Sequence, residues 1–180
     1  NSGYAANLAL LSALPQRGDT VLYDERAHAC IKDGVRLSAA ERFAFRHHDL
    51  DDLRRRLAGA RGRRYVVVES IYSMDGDAAP LGELAALCRE QEAALVVDEA
   101  HSTGLYAAGG AGLVSALGLG DDCLARVMTF GKALGGHGAL VCGSAALCAF
   151  LVNFARPFIY TTALPPHSLL AIREAFFVSG

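Results

Sequence analysis

Two uninterrupted apolar runs, Tyr65-Val-Val-Val and Ala93-Ala-Leu-Val-Val, each end abruptly in carboxylates. Short runs of β-branched and aliphatic residues without polar alternation read as inner strands of a parallel sheet, covered on both faces. Thr20-Val-Leu-Tyr-Asp and Ala125-Arg-Val-Met-Thr-Phe130 predict two more strands, and Gly138-Ala-Leu-Val-Cys-Gly one that returns from the last. Arg42-Phe-Ala-Phe-Arg alternates and belongs nearer an edge. Between these lie helical stretches. An Ala/Leu helix begins after Ser2, a plausible N-cap, and ends near Leu14-Pro15. Glu25-Arg-Ala-His28 opens a second helix with Ile31, Val35 and Leu37 inward. Asp49-Leu-Asp-Asp-Leu-Arg-Arg-Arg-Leu starts acidic and ends basic, in keeping with a helix dipole. Leu81 to Glu92 is amphipathic, a further helix runs through about Phe154, and Pro165-Pro166 starts the last. Strand and helix alternate at β-α-β intervals, so the expected fold is α/β, a mainly parallel central sheet with helices on both faces. Functional residues then belong at the carboxyl ends of the strands.

Composition narrows the partners. The 180 residues are 52% hydrophobic with a net charge of −2, which gives one substantial core and no field for a polyanion. Arg54, Arg55 and Arg56, with Arg61, Arg63 and Arg64, are the one basic cluster, and they read as a solvated helix end rather than a nucleic-acid surface. Five cysteines without a C-x-x-C pair read as small apolar residues in a reducing, cytoplasmic setting. No metal site is expected. The uncharged stretch from Ala133 to Ala155 has the length of a membrane span, but Gly135, Gly136, Gly138 and Gly143 interrupt it. The start on Asn-Ser-Gly and the end on Phe-Phe-Val-Ser-Gly suggest an internal fragment.

Asp98-Glu-Ala-His101, at the end of the central strand, admits two chemistries. As the DEAH box of a helicase it needs a phosphate-cradling G-x-x-x-x-G-K-[S/T] before it. Here Gly131-Lys132 comes after it, Ala133 follows the lysine, and Arg126 stands where the first glycine belongs. The helicase reading fails. Pyridoxal phosphate (PLP) needs a lysine to hold it, an aspartate to keep its ring nitrogen protonated, donors for its ring oxygen, a partner for its ring face and a phosphate cradle. A candidate exists for each.

With those parts in order, the sequence resembles the α-oxoamine synthase family of fold-type-I PLP enzymes along essentially its whole length. The resemblance rests on Ser2-Gly-Tyr-Ala-Ala-Asn7, His28-Ala, Glu69-Ser-Ile-Tyr-Ser-Met-Asp-Gly-Asp-Ala-Ala-Pro-Leu81, Asp98-Glu-Ala-His-Ser-Thr-Gly104, Thr129-Phe-Gly-Lys-Ala133 and Tyr160-Thr-Thr-Ala-Leu-Pro-Pro166. It implies pyridoxal 5'-phosphate as cofactor, and an amino acid and an acyl-CoA as substrates joined with loss of CO₂. It also implies residues 1–180 as the central part of the PLP-binding large domain, without its N-terminal segment and the C-terminal small domain. L-alanine with pimeloyl-CoA, as in biotin synthesis, is the expected pair; glycine with acetyl-CoA is the alternative. A PLP aminotransferase and a non-catalytic subunit of the same fold are more distant readings. By the same resemblance, Lys132 holds the cofactor and shuttles the substrate proton, Asp98 pairs with the ring nitrogen, and His28 stacks on the ring. His101 and Ser73 lie at the ring-oxygen edge, Gly3 and Tyr4 bring backbone amides, and Thr129 contacts the phosphate side. Thr162 resembles a residue that reaches the cofactor of a neighbouring subunit, implying a homodimer. Two positions depart from the family pattern: Cys30 stands where serine is frequent, and Ala107 where glycine is usual.

Overall fold

The computed structural model describes residues 1–179. In chain order the elements are α1 (Gly3–Ala13), β1 (Thr20–Asp24), α2 (Ala29–Leu37), β2 (Glu41–Phe45), α3 (Leu50–Gly59), β3 (Arg64–Glu69), α4 (Leu81–Glu90), β4 (Ala93–Asp98), α5 (Leu113–Ala116), β5 (Cys123–Thr129), β6 (Ala139–Gly143), α6 (Ala145–Phe154), α7 (Arg156–Ile159) and α8 (Pro166–Ser179). One six-stranded sheet runs in the order β2-β1-β3-β4-β5-β6. The first five strands are parallel, and β6 returns antiparallel to β5. No helix among the described residues is long and apolar enough to cross a membrane.

Period-two side-chain placement divides the interior into two cores. Val21, Tyr65, Val67, Val96 and Val127 face α1, α2 and α6, where Leu10, Ile31, Val35 and Leu147 meet them. Leu22, Val66, Val68, Leu95 and Val97 face α3 and α4 and pack on Leu53, Leu57, Leu84 and Leu87. Each fully buried aliphatic side chain of this kind contributes roughly 1.5–3 kcal/mol. The strand with alternating polarity, β2, is indeed the edge: Glu41, Arg42 and Phe43 are exposed, and Phe45 is buried. Charges on an edge discourage pairing with another chain.

The two helices at the amino-terminal side are drawn together by Gly34, where a Cβ would lie 2.9 Å from Leu11 Cβ and 3.0 Å from the Asn7 carbonyl. That approach fixes the axial position of α1, and so of its first turn.

The helix predicted to bury Leu37 does not: Ile31 and Val35 are buried, while Leu37 is 65% exposed. Two positions beyond Val35 lies nearly opposite on a helix of 3.6 residues per turn, and α2 ends there. The amphipathic helix ends at Glu90 rather than Glu92, where the backbone turns to φ +48°. The short helices α5 and α7 had no signal of their own. Five of the six clustered arginines are exposed, and three of these pair with acids, Arg54 with Glu90 and Arg55 and Arg56 with Asp52, while the partly buried Arg64 donates to the Gln91 carbonyl.

Candidate active site

The carboxyl ends of the parallel strands place Asp24, Glu69, Asp98 and Thr129 along one edge of the sheet, with Glu69 opposite Asp98 in register. The first turn of α1 and the start of α2 close over this edge. Between them is a cavity of about 220 Å³, lined by Gly3, Tyr4, His28, Asp98, Thr129 and Lys132 together with Ser2, Cys30, Glu69 and His137. Six residues singled out in the sequence therefore meet at one place, though they lie far apart along the chain.

The amino end of α1 faces the cavity with free donors. The first amides of a helix have no intrahelical acceptor. Ser2 takes that of Ala5 on its Oγ (3.2 Å) and that of Ala6 on its carbonyl (2.9 Å), which leaves Gly3 and Tyr4 at the cavity. Gly3 is required there by packing, since a Cβ would sit 2.4 Å from Thr129 Cγ2. Thr129 Oγ1 is buried without a hydrogen-bond partner.

Asp98 forms the floor. It is 4% exposed; its Oδ1 accepts the Ala100 amide at 2.8 Å, and its Oδ2 accepts Asn7 Nδ2 at 2.6 Å. Burial pushes its carboxyl above the usual range, against the opposing pull of the Ala100 amide, Asn7, Lys132 and His28. Glu69, 2% exposed, is pushed up to about 7 by burial and by Asp98, while its Oε1 accepts the His28 amide at 2.6 Å.

A chain of hydrogen bonds runs from the floor to the wall. Asn7 Nδ2 also reaches Cys30 Sγ (3.3 Å), and that sulfur lies 2.9 Å from His28 Nδ1. Burial, and then Asp98, push the Cys30 thiol up to about 12, so it keeps its proton and can donate to Nδ1. The Cys30 amide donates to the same nitrogen at 3.2 Å, as expected where His28 caps α2. An Nδ1 that accepts from both leaves the ring proton on Nε2. On the opposite side Lys132 Nζ hydrogen-bonds His101 Nε2. Burial, Lys132 and His28 all lower the pKa of His101, so its ring stays neutral and accepts.

Ser73 and Thr162 lie elsewhere. Ser73 is exposed in the loop between β3 and α4, and Thr162 is exposed, its carbonyl accepting the Asn1 side-chain amide. Neither lines the cavity, and His101 reaches it only through Lys132. Asn7, Cys30 and Glu69 had been given no role in the site from the sequence, although Cys30 stood out as a departure from the family pattern. Each had a signal: an amide in an otherwise apolar helix, a polarisable group two residues after a helix-capping histidine, and an acid ending a hydrophobic strand. Glu99, the second letter of the DEAH string, is fully buried away from the cavity and bound to Arg126.

These groups suit one kind of guest. A buried carboxylate whose hydrogen-bond partners are neutral amides calls for a cation above it. The orphaned Thr129 hydroxyl and the α1 amides call for an anion. A protonated ring nitrogen and a phosphate on one flat molecule answer both, with the imidazole of His28 to cover a face and Lys132 as the amine.

Comparison with known proteins gives the same picture. The chain is 49% identical over 178 residues to the 8-amino-7-oxononanoate synthase of Anaeromyxobacter dehalogenans (strain 2CP-C), matching 98% of this chain and 45% of that protein. A structure of serine palmitoyltransferase from S. paucimobilis with PLP and myriocin bound superposes with a TM-score of 0.93 at 35% identity, over 99% of this chain and 45% of that one. The structure of 8-amino-7-oxononanoate synthase from Francisella tularensis gives 0.87 at 36% identity, over 99% and 52%. The chain thus spans about half the length of the proteins it matches. The family model of class I and II aminotransferases aligns with residues 1–179, and the chain belongs to that family.

Proposed function

We propose that the protein containing this chain is a PLP-dependent α-oxoamine synthase, and that it joins L-alanine to pimeloyl-CoA with loss of CO₂. The observation that carries this reading is Asp98, sunk in the cavity floor with only amide partners, on a cavity that also exposes Lys132. The name carried by the relative that is 49% identical supports the choice of substrates.

PLP, when bound, supplies a conjugated ring that takes up the electron pair left at the amino-acid Cα. The chain's own residues do the rest. Asp98, its two oxygens fixed by Asn7 and Ala100, would hold a proton on the ring nitrogen by charge. His28, its ring proton on Nε2, would cover one face of the ring. The Gly3 and Tyr4 amides and the Thr129 hydroxyl would donate to the phosphate. Lys132 Nζ takes the Cα proton and later returns one, and His101 holds that nitrogen between the two events. In the overall reaction a carbon–carbon bond forms between Cα and the thioester carbonyl, the CoA thiolate leaves, and the carboxylate departs as CO₂.

Thr162, exposed near the end of the chain, would serve the site of a second subunit, so the active species is a homodimer. The five free cysteines fit a cytoplasmic protein. The serine palmitoyltransferase likeness favours, as a second reading, another synthase of the same family, with glycine and acetyl-CoA or serine and palmitoyl-CoA as its pair.

Thiol release by the full-length protein tests this. Alanine, glycine and serine are each crossed with acetyl-, succinyl-, pimeloyl- and palmitoyl-CoA, with Lys132→Ala as the blank. Release confined to alanine with pimeloyl-CoA is expected. Release with another pair keeps the chemistry and changes the substrates; no release with PLP bound overturns the reading in favour of an aminotransferase.

A further inference from the structure

Beside the cavity, but outside it, a second cluster of ionisable groups joins three separate parts of the fold. His47, just after β2, is largely buried, with 11% of its side chain exposed. Its Nδ1 lies 2.9 Å from Oδ1 of Asp24, the last residue of β1. Its Nε2 lies 2.7 Å from Oδ2 of Asp77, in the loop between β3 and α4. A neutral imidazole has one donor and one acceptor, and ionised carboxylates only accept. Asp24 also accepts the Arg26 amide at 2.8 Å and the His48 amide at 3.3 Å, so both of its oxygens serve as acceptors, and the hydrogen bond from His47 holds the Asp77 carboxyl below its usual range. Both ring nitrogens of His47 must then donate.

The surroundings fit a cation at this point. The Glu25 carboxylate accepts the His47 amide at 3.2 Å, and Arg26 is occupied by Asp75 at 2.6 Å. The His48 ring stacks on His47 with centroids 3.7 Å apart, and the edge of Tyr72 meets it at 4.6 Å. Burial and the charge of His47 push His48 down, so the neighbouring ring is neutral. Burial opposes the charge on His47, but Asp77 and Asp24 together outweigh it and its pKa is raised.

Asp77 belongs to a small hairpin. Ile71 bridges Ala78, the Tyr72 amide donates to the Asp77 carbonyl at 2.9 Å, and the Gly76 amide donates to the Tyr72 carbonyl at 2.9 Å. Ser73 and the 90%-exposed Met74 sit at the tip. The hairpin is anchored at its base by the strand-proximal bonds of Ser70 and by the buried Tyr72 ring. Nearer its tip it is held by the His47 bridge, with His48 Nδ1 3.5 Å from the same Asp77 oxygen, and by the exposed Arg26–Asp75 pair. Exposed pairs contribute little.

We infer that His47, shared as an imidazolium between Asp24 and Asp77, is a positioning residue that fastens the Ser73 hairpin beside the cofactor cavity. The consequence for the cofactor rests on the proposed function; the fastening itself does not. A histidine whose folded pKa is raised stabilises fully below its unfolded value of 6.5, and the stabilisation is lost as pH rises through the folded value. The hairpin therefore loosens on the alkaline side.

Hydrogen exchange of peptides covering residues 70–79, normalised to intrinsic rates and followed from about pH 6 to pH 9, tests this on the full-length protein. In His47→Gln, protection is expected to fall roughly tenfold at the lower pH, with the β3 and β4 amides unchanged. In Asp77→Asn the new amide donates to a neutral His47, so protection is retained and its pH dependence disappears. PLP affinity, read by absorbance, is expected to weaken several-fold in His47→Gln and to be restored in Asp77→Asn. Equal protection in His47→Gln and wild type overturns the clasp. Lost protection with unchanged PLP affinity overturns its positioning role. A wild-type protein that binds no PLP, with exchange behaving as described, overturns the proposed function instead.

Discussion

Asp98 and Glu99 are neighbours in the chain and equally hidden from water, yet they are surrounded in opposite ways. Glu99 has its countercharge in place: Arg126 Nε donates at 2.6 Å, Ser102 Oγ at 3.1 Å and the Val114 amide at 2.9 Å. Arg126 in turn donates to the Ala111 carbonyl, and the assembly straps the glycine-rich loop to the sheet. Asp98 receives two amide hydrogen bonds, and its carboxyl is pushed upward by burial. A buried charge with its partner built in is architecture, because removing either half strands the other. A buried charge lacking one holds free energy that a ligand of opposite sign can release. Burial alone does not tell these cases apart; the list of partners does.

The sharpest way to break this comparison is a pair of isosteric amides. Glu99→Gln leaves the Arg126 guanidinium, its side chain only 16% exposed, without a carboxylate, and a loss of up to about 3 kcal/mol in denaturant unfolding is expected. Asp98→Asn removes an under-paired charge, so stability should stay within about 1 kcal/mol of wild type or rise, while PLP binding collapses. Equal destabilisation of the two would end the distinction.

Glu69 sharpens it along the pH axis. Its carboxyl, held up to about 7, binds a proton more tightly folded than unfolded. In the cofactor-free protein this stabilisation is complete below the unfolded value near 4.5 and lost as pH rises through about 7. Glu69→Gln should flatten a slope of up to about 3 kcal/mol across that window, measured by unfolding at fixed temperature.

Gly3→Ala tests the cavity wall by shape rather than charge. Its Cβ meets Thr129 Cγ2, and overpacking of this kind costs about 1–3 kcal/mol. Adding Thr129→Ser deletes that methyl, keeps the hydroxyl and should recover both stability and PLP affinity.

The smallest effect lies on the architectural side. Ala107 adopts φ +63° and ψ 165°, a conformation suited to glycine, in the loop strapped by Glu99 and Arg126. Ala107→Gly should gain about 1 kcal/mol in thermal unfolding and leave PLP affinity unchanged.

Much of this was readable in the sequence because it lies in patterns that one dimension preserves. Uninterrupted valines mark inner strands, alternation marks the edge at β2, and Asp98 follows its strand without a break. Asn7 was harder to read because α1 is apolar nearly all round, so its phase gives no face. Only the folded contact, Asn7 Nδ2 to Asp98 Oδ2 at 2.6 Å, shows which way it turns. Cys30 looked like a small apolar residue, and it is buried among such residues; its bond to His28 depends on an N-cap geometry that composition does not encode. Ser73 sits on a hairpin whose attachment depends on His47, far away in the chain. Leu37 was misplaced through counting apolar residues without their phase.

The Gly3–Thr129 contact carries a consequence for how the protein comes into being. It joins the first turn of this chain to the fifth strand, with every other parallel strand between them in sequence. A cavity closed by so distant a pair is expected to form late, after the sheet has grown to β5, since long loops must close before their contacts are rewarded. Emerging from the ribosome, this segment could present His28 and Asp98 long before Lys132 existed to face them. Cofactor capture would then report that the sheet has grown as far as β5.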